Sequence, residues 1–151
     1  MVQITKREEA LQLARTWIGT PYKHQAMKKG LGCDCAGLVM GIWNELYGRP
    51  PKDFVLPPYT ASWAEETGLQ LMVDAGNKYF TQVPISEMLP GDVIMYRMYS
   101  KGPTKHSGIL ASPNTMIHAY NHHNVMESGL INNKGSQLTH VFRFPEDPIL
   151  Q

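Results

Sequence analysis

The first segment of the chain has the periodicity of an amphipathic helix. Apolar residues recur at intervals of three and four between Ala10 and Ile18, so that one face of a helix would be apolar. Thr5 precedes this stripe and Glu8 follows three residues later, a capping-box pattern that predicts where the helix begins. The Gly-Thr-Pro sequence after the stripe predicts where it ends.

A second helix is predicted in the apolar run 35–47, with Asp34 before it as a candidate N-cap. Gly48 and the two prolines that follow predict a sharp helix end. The polar segment 23–32 between the two helices predicts a loop, and residues 60–79 predict one or two further helices. We expect the second helix to be central, because most of its side chains are of types that proteins bury.

The period changes in the second half of the chain, where short runs rich in β-branched, aromatic and Met residues alternate with turn formers. These runs predict strands at residues 92–98, 106–111, 115–120, 124–130 and 137–144. Helices followed by a series of strands favour an α+β fold with an antiparallel sheet. The candidate functional residues described below come from both the helical part and the strand part. We therefore predict one domain over residues 1–151.

Composition and charge narrow the class of protein. Of the 151 residues, 42% are hydrophobic and 18% are charged, a balance typical of globular proteins and unlike that of disordered chains. Lys and Arg number 14 against 13 for Asp and Glu, a formal net charge of +1, so nucleic acid and acidic lipid are not expected partners. The apolar runs are far shorter than the roughly 20 residues that a membrane-spanning helix needs.

The cysteines and the N-terminal segment predict the compartment of synthesis. Cys33 and Cys35 are separated by one residue and would close only a strained disulfide ring, so we expect reduced thiols. Residues 1–17 contain no apolar core and no small-residue cleavage site. We therefore expect synthesis in the cytoplasm without a signal peptide.

Cys35 is a candidate nucleophile because it stands at the start of the second predicted helix. The free N–H groups and the positive end of the helix dipole favour a thiolate there, so we expect the pKa of this thiol to be lowered. Gly37 would let a substrate or another backbone segment come close. A buried and inert structural cysteine is the alternative, and the spacing alone does not decide between the two.

A thiol nucleophile needs a base, and the base needs a group that orients it. His106 begins one predicted strand and His118 lies in the next, with Pro113–Asn114 as a turn between them. A hairpin of this length puts both imidazoles on one face. There one ring nitrogen of His106 can approach the sulfur, while His118 holds the other nitrogen of the same ring. Two histidines with purely structural roles are the alternative.

Five sequence blocks, in order along the chain, resemble the NlpC/P60 family of cysteine peptidases. They are Gly19–Tyr22 (GTPY), Asp34–Val39 (DCAGLV), Leu89–Ile94 (LPGDVI), His106–Ile109 (HSGI) and Ile117–Ala119 (IHA). The resemblance implies a papain-like α+β fold, with N-terminal helices packed on a five- or six-stranded antiparallel sheet. The family usually has Ser after the cysteine, and Ala36 departs from that pattern while keeping the backbone N–H donors.

The resemblance also implies roles for single residues. Cys35 matches the nucleophile, His106 the general base, and His118 the polar residue that orients the base. Tyr22 matches a tyrosine whose hydroxyl lies beside the nucleophile and helps to stabilise the oxyanion. Asp34 is interpreted as the helix N-cap or as a substrate contact, with the cap favoured.

Further polar residues near these blocks have less specific interpretations. Lys23 and Lys105 are candidate contacts to the carboxylate of an anionic wall peptide, and a solvated face is the alternative. Adjacent His122 and His123 lack the ligand spacing of a structural zinc site, so we predict no metal. The resemblance implies no organic cofactor.

The activity implied by the resemblance is hydrolysis of peptidoglycan stem peptides, between D-γ-glutamate and the diamino acid in position three. The segment 49–86 and the loop before Cys35 resemble a phage-type branch, found with tail proteins of phages and of gene transfer agents. Delivery to the cell wall on such a particle, with tail or baseplate proteins as partners, is therefore an expectation. Two alternatives stay open: an acyltransferase of the same superfamily, and a non-catalytic wall-binding or tail-assembly module.

Overall fold

A computed structural model of the chain describes residues 3–54, 71–100, 104–120, 123–132 and 134–148. Helices supply the first part of this structure and an antiparallel sheet the second, which confirms the predicted α+β class. The part of the predicted helical stretch before residue 71 lies outside the described residues. The prediction that residues 1–151 form one domain stays a prediction.

The helices among the described residues are α1 (Lys6–Thr16), α2 (Cys35–Tyr47) and α3 (Leu71–Tyr79). The predicted capping box begins α1, because Thr5 accepts a hydrogen bond from the N–H of Glu8 and donates its own N–H to the Glu8 carboxylate. This helix ends before Ile18, which is 45% exposed and lies outside the buried stripe. Gly48 ends α2 as predicted, with a left-handed φ of 76°.

The predicted loop between α1 and α2 contains a small hairpin of β1 (Met27–Lys28) and β2 (Gly32–Cys33). The strands of the main sheet are β3 (Thr81–Val83), β4 (Val93–Arg97), β5 (Thr104–Ser112), β6 (Thr115–His118), β7 (Met126–Gly129) and β8 (Gln137–Arg143). Their order is β3-β8-β4-β5-β6-β7, and every neighbouring pair is antiparallel. The short outer strand β3 was not predicted, whereas β5 and β6 form the expected hairpin.

The main hydrophobic core lies between the helices and one face of the sheet, and α2 is buried along most of its length. Trp17 packs so closely on α2 that a Cβ at Gly41 would lie 2.3 Å from the indole ring. A smaller apolar cluster covers the other face of the sheet, because residues alternate between faces along a strand. This cluster contains Val83, Ile94, Tyr96, Leu110, Met116 and Val141.

An ion pair with a buried carboxylate and a partly exposed guanidinium joins the entry of β4 to the end of β8. Asp92 is fully buried, and its carboxylate accepts two hydrogen bonds from the Arg143 guanidinium at 2.7 and 2.8 Å. The same carboxylate accepts the N–H of Leu89 at 2.8 Å. Gly91 is needed in this turn because its φ is 98° and a Cβ there would lie 2.0 Å from the Arg7 carbonyl oxygen.

Arg143→Met should destabilise the protein by about 3 kcal/mol, because it leaves the buried Asp92 carboxylate without its cation. Urea unfolding measures this change in the free energy of unfolding. Arg97→Met is the matched control, since the hydrogen bond that the Arg97 guanidinium makes within the described part of the chain is long and exposed, to the Ser100 carbonyl. Equal losses in the two variants would contradict a special role for the Asp92–Arg143 pair.

Candidate active site

Asp34 fixes the start of α2, where Cys35 is the first helical residue. Its Oδ1 accepts the N–H of Gly37 and its Oδ2 accepts the N–H of Gln25, both at 2.8 Å. The Asp34 residue is only 3% exposed, so these bonds lie inside the protein and confirm the N-cap interpretation. Gly37 permits the junction, because a Cβ there would lie 1.8 Å from the carbonyl oxygen of Ala26.

The Cys35 sulfur lies against β5. Its thiol donates to the carbonyl of Lys105 at 3.8 Å, and the Ser107 hydroxyl donates to the Cys35 carbonyl at 3.4 Å. These two residues flank His106, so the sulfur is next to the strand segment that carries this histidine. The thiol hydrogen bonds to a carbonyl in this state, and the S–H must turn away from Lys105 to reach an imidazole.

His106 and His118 are brought together as the hairpin predicted. Nε2 of His106 and Nδ1 of His118 are 2.9 Å apart, and both side chains are buried. The second nitrogen of His118, Nε2, is 2.8 Å from the hydroxyl of Ser128 on β7. Gly108 keeps this space open, because a Cβ there would lie 2.9 Å from the His118 Cβ.

The aromatic ring of Tyr120 packs against both histidines. Tyr120 meets the His106 ring edge to face, with centroids 5.3 Å apart and an angle of 88° between the rings. His123 stacks on the other side of Tyr120, at 6.2 Å and 25°. This contact gives His123 a packing partner on the rim of the site.

Burial, with a smaller contribution from the Asp34 carboxylate, raises the pKa of the Cys35 thiol to about 11. Hydrogen bonds from Ser107 and from the N–H of Ala36 oppose this rise in part. The expected lowering of the thiol pKa is therefore wrong. Loss of water around the sulfur and the nearby negative charge outweigh the helix N–H groups.

The two histidines are shifted toward their neutral forms. Burial, then the proximity of His118 and Lys105, lowers the pKa of His106 to about 3. Burial and the nearby His123 lower the pKa of His118 to about 4. At neutral pH each ring therefore carries one hydrogen, and His106 is able to accept a proton.

Tyr22 and Cys33 lie near Cys35. They face each other in a parallel β-bridge, and the Tyr22 side chain is half-buried. Burial, followed by the charge of a Cys35 thiolate, raises the pKa of Tyr22 to about 12, so its hydroxyl keeps its proton. Cys33 is fully buried and burial raises its pKa to about 12, whereas Cys35 is partly exposed.

Lys23 and Lys105 are the two lysines predicted to contact a substrate carboxylate. Lys23 is exposed and its backbone N–H donates to the Cys33 carbonyl at 3.0 Å. Lys105 is half-buried, and its Nζ is 5.3 Å from the centre of the Tyr99 ring. Their predicted contact with a substrate carboxylate stays a prediction, as does a substrate contact of Asp34.

The part of the chain that the structure describes holds no group of three or more His, Cys, Asp or Glu side chains placed to bind a metal ion. His122 lies outside the described residues. None of the described helices is both long enough and apolar enough to cross a membrane.

Three residues of the site were missed from the sequence. Ser107 contacts the Cys35 carbonyl, Ser128 extends the histidine pair, and Tyr120 packs on both imidazoles. Strand alternation places Ser107 on the face of β5 opposite to His106, so alternation gave no signal that Ser107 contacts the Cys35 backbone. Ser128 has no comparable signal, because its partner is ten positions away on another strand.

The sequence pattern of the NlpC/P60 family matches residues 19–143. The chain belongs to the NlpC/P60 family. This NlpC/P60 chain is 31% identical, over 118 residues, to the probable endopeptidase NlpC of Escherichia coli (strain K12). That match covers 78% of this chain and 64% of the relative, so the chain spans less than two thirds of that protein.

Solved NlpC/P60 structures share the fold. NlpC2 from Trichomonas vaginalis superposes with a TM-score of 0.65 at 20% identity, over 95% of this chain and 48% of that one. The NlpC/p60 domain of the peptidoglycan hydrolase SagA superposes with a TM-score of 0.56 at 18% identity, over 82% of this chain and 89% of that one. These structures support the predicted family fold of helices on a six-stranded sheet.

Burial of the histidines predicts how stability depends on pH. The pKa values of His106 and His118 in the folded chain, about 3 and about 4, lie below the ordinary value of 6.5. Below pH 6.5 the unfolded chain therefore binds more protons, so the free energy of unfolding should fall as the pH is lowered toward 4.

His118→Asn should reduce this fall, because it removes one buried titrating group. Urea unfolding at about pH 7 and about pH 5 measures the difference. Ser112→Ala removes a hydroxyl that bonds to Thr115 and leaves all histidines in place, so it should keep the wild-type difference. An unchanged pH dependence in His118→Asn would contradict the assignment.

Proposed function

We propose that this chain is a cysteine peptidase that cleaves peptidoglycan stem peptides between D-γ-glutamate and the diamino acid in position three. The observation that carries the proposal is the juxtaposition of the Cys35 sulfur with the β5 segment that bears His106, itself hydrogen-bonded to His118. Membership of the NlpC/P60 family supports the thiol chemistry. The names of two relatives, a probable endopeptidase and a peptidoglycan hydrolase, support the substrate class.

Both reacting groups are neutral before attack, so the proton moves during the reaction. Cys35 gives its thiol proton to Nδ1 of His106 as the sulfur attacks the scissile carbonyl carbon. His106 then passes this proton to the departing amine, and a thioester remains on Cys35. Water hydrolyses the thioester with His106 again as the base, which restores the thiol. His118 orients the His106 ring throughout.

The negative charge that develops on the carbonyl oxygen falls at the start of α2. The backbone N–H of Cys35 points out of the first helical turn, and the Tyr22 hydroxyl keeps its proton beside the sulfur. Donors that are in place before the reaction stabilise such an oxyanion without reorganising. We assign these two groups to the oxyanion hole.

The two alternative functions differ from the peptidase in what they do with the same residues. An acyltransferase would pass the acyl group from Cys35 to an amine rather than to water. A non-catalytic wall-binding module would have no use for the buried hydrogen bond between His106 and His118, which favours an enzyme.

Delivery by a phage-like particle, with tail proteins as partners, stays a prediction.

Digestion of purified peptidoglycan tests the reaction. We expect mass spectrometry to find L-Ala-D-Glu left on the sugar strands and new amino termini on diaminopimelate or lysine. Cleavage between sugar and L-Ala, or at D-Ala cross-links, would contradict the proposed bond. Binding to the wall without release of fragments would favour the non-catalytic module.

Substitution of the two cysteines tests the nucleophile. Cys35→Ala should lower turnover by at least about a thousandfold, because no other group can form the thioester. Cys33→Ala is the matched control and should keep most of the activity, since Cys33 is fully buried. The rate of fragment release from peptidoglycan is the measurement. Similar losses in the two variants would refute the assignment of Cys35.

A further inference from the structure

We propose that Ser128 is a positioning residue of this site, which orders the hydrogen bonds of the histidine pair so that Nδ1 of His106 is left to accept the thiol proton. The catalytic consequence rests on the proposed function. The order of the hydrogen bonds rests on the geometry of the three side chains and on both rings being neutral, and it needs no substrate.

The hydrogen between the two imidazoles can belong to either ring. Nε2 of His106 and Nδ1 of His118 are 2.9 Å apart, and each nitrogen is a donor in one tautomer and an acceptor in the other. The pair itself therefore does not decide which ring donates. A third group has to break the symmetry.

Ser128 is placed to break it. Its hydroxyl is 2.8 Å from Nε2 of His118 and donates to the carbonyl of Gly129 at 3.2 Å. A serine hydroxyl has one hydrogen, so a hydroxyl that donates to Gly129 must accept from His118. His118 then carries its hydrogen on Nε2, its Nδ1 becomes the acceptor, and His106 donates from Nε2.

The opposite order would disable the base. If His118 donated from Nδ1, His106 would accept at Nε2 and carry its single hydrogen on Nδ1. That nitrogen is the one proposed to take the proton from Cys35, and it would have no lone pair to offer. Because burial keeps both rings neutral, the choice between the two orders decides whether the base is competent.

The location of Ser128 makes it testable without loss of the fold. It lies half-buried on β7, opposite Met116 of β6. Its neighbour Glu127 holds the strand through Arg15 at 2.7 Å and Thr115 at 2.8 Å. Removal of the Ser128 hydroxyl leaves these contacts in place.

The experiment compares wild type with Ser128→Ala, Ser128→Thr and the control Ser112→Ala. Ser112 lies at the far end of β5, where its hydroxyl bonds to Thr115 and not to a histidine. The histidines are labelled with 15N. NMR correlations between the ring nitrogens and the hydrogens bound to ring carbons then show which nitrogen of each ring carries a hydrogen. Kinetics of peptidoglycan cleavage report kcat and KM.

We expect both histidines of wild type to carry their hydrogen on Nε2. Ser128→Ala should give a mixture of tautomers and lower kcat about three- to tenfold with KM unchanged, the effect of one neutral hydrogen bond. Ser128→Thr should restore the wild-type tautomer and rate, and Ser112→Ala should change neither.

A wild-type His118 with its hydrogen on Nδ1 would overturn the proposal. So would Ser128→Ala with unchanged tautomers, or a folded Ser128→Thr that fails to restore them. The NMR measurement needs no substrate, so it decides the role of Ser128 even if peptidoglycan is not cleaved. Absence of cleavage by wild type with the expected tautomers would count against the proposed function alone.

Discussion

The buried carboxylate of Asp34 is the interaction on which the site depends. It joins the loop before Cys35 to the first turn of α2, and Cys35 takes its position from that junction. Burial is the main cause that raises the pKa values of Cys35, Tyr22 and Cys33, and the Asp34 charge adds to the rise in each case. The group that builds the helix start therefore makes a free thiolate harder to form. The proposed mechanism therefore has His106 remove the thiol proton during attack, and not before it.

The proposed base, His106, comes from the other half of the structure. The sheet provides one member of the hydrogen-bond chain from each of three neighbouring strands: His106 from β5, His118 from β6 and Ser128 from β7. The helix supplies the sulfur and the sheet supplies the acceptor, so the main core between them sets their separation. Gly108 contributes by having no side chain, which lets His118 approach β5.

Local signals account for the parts of this arrangement that could be predicted. The start of α2 follows from Asp34 and the apolar run after it, and the pairing of His106 with His118 follows from their spacing around a turn. The strand β3 has only three residues, too few to show an alternating pattern. Its pairing with β8 depends on the tertiary structure and could not be predicted from the local sequence. The pKa of Cys35 depends on how much water the whole fold removes from the sulfur, so the helix dipole alone predicted the wrong direction.

β7 is the outer strand of the sheet, so the hydroxyl that bonds His118 lies at an edge of the fold. Among the described strands β7 pairs with β6 alone, and an ion pair between Arg15 and Glu127 connects it to α1. Such a partly exposed pair contributes at most about 1 kcal/mol and is weakened by salt. Local opening of β7 would take Ser128 with it while the core stayed folded. High ionic strength, which weakens the Arg15–Glu127 pair, would therefore favour this opening through a contact that neither histidine makes.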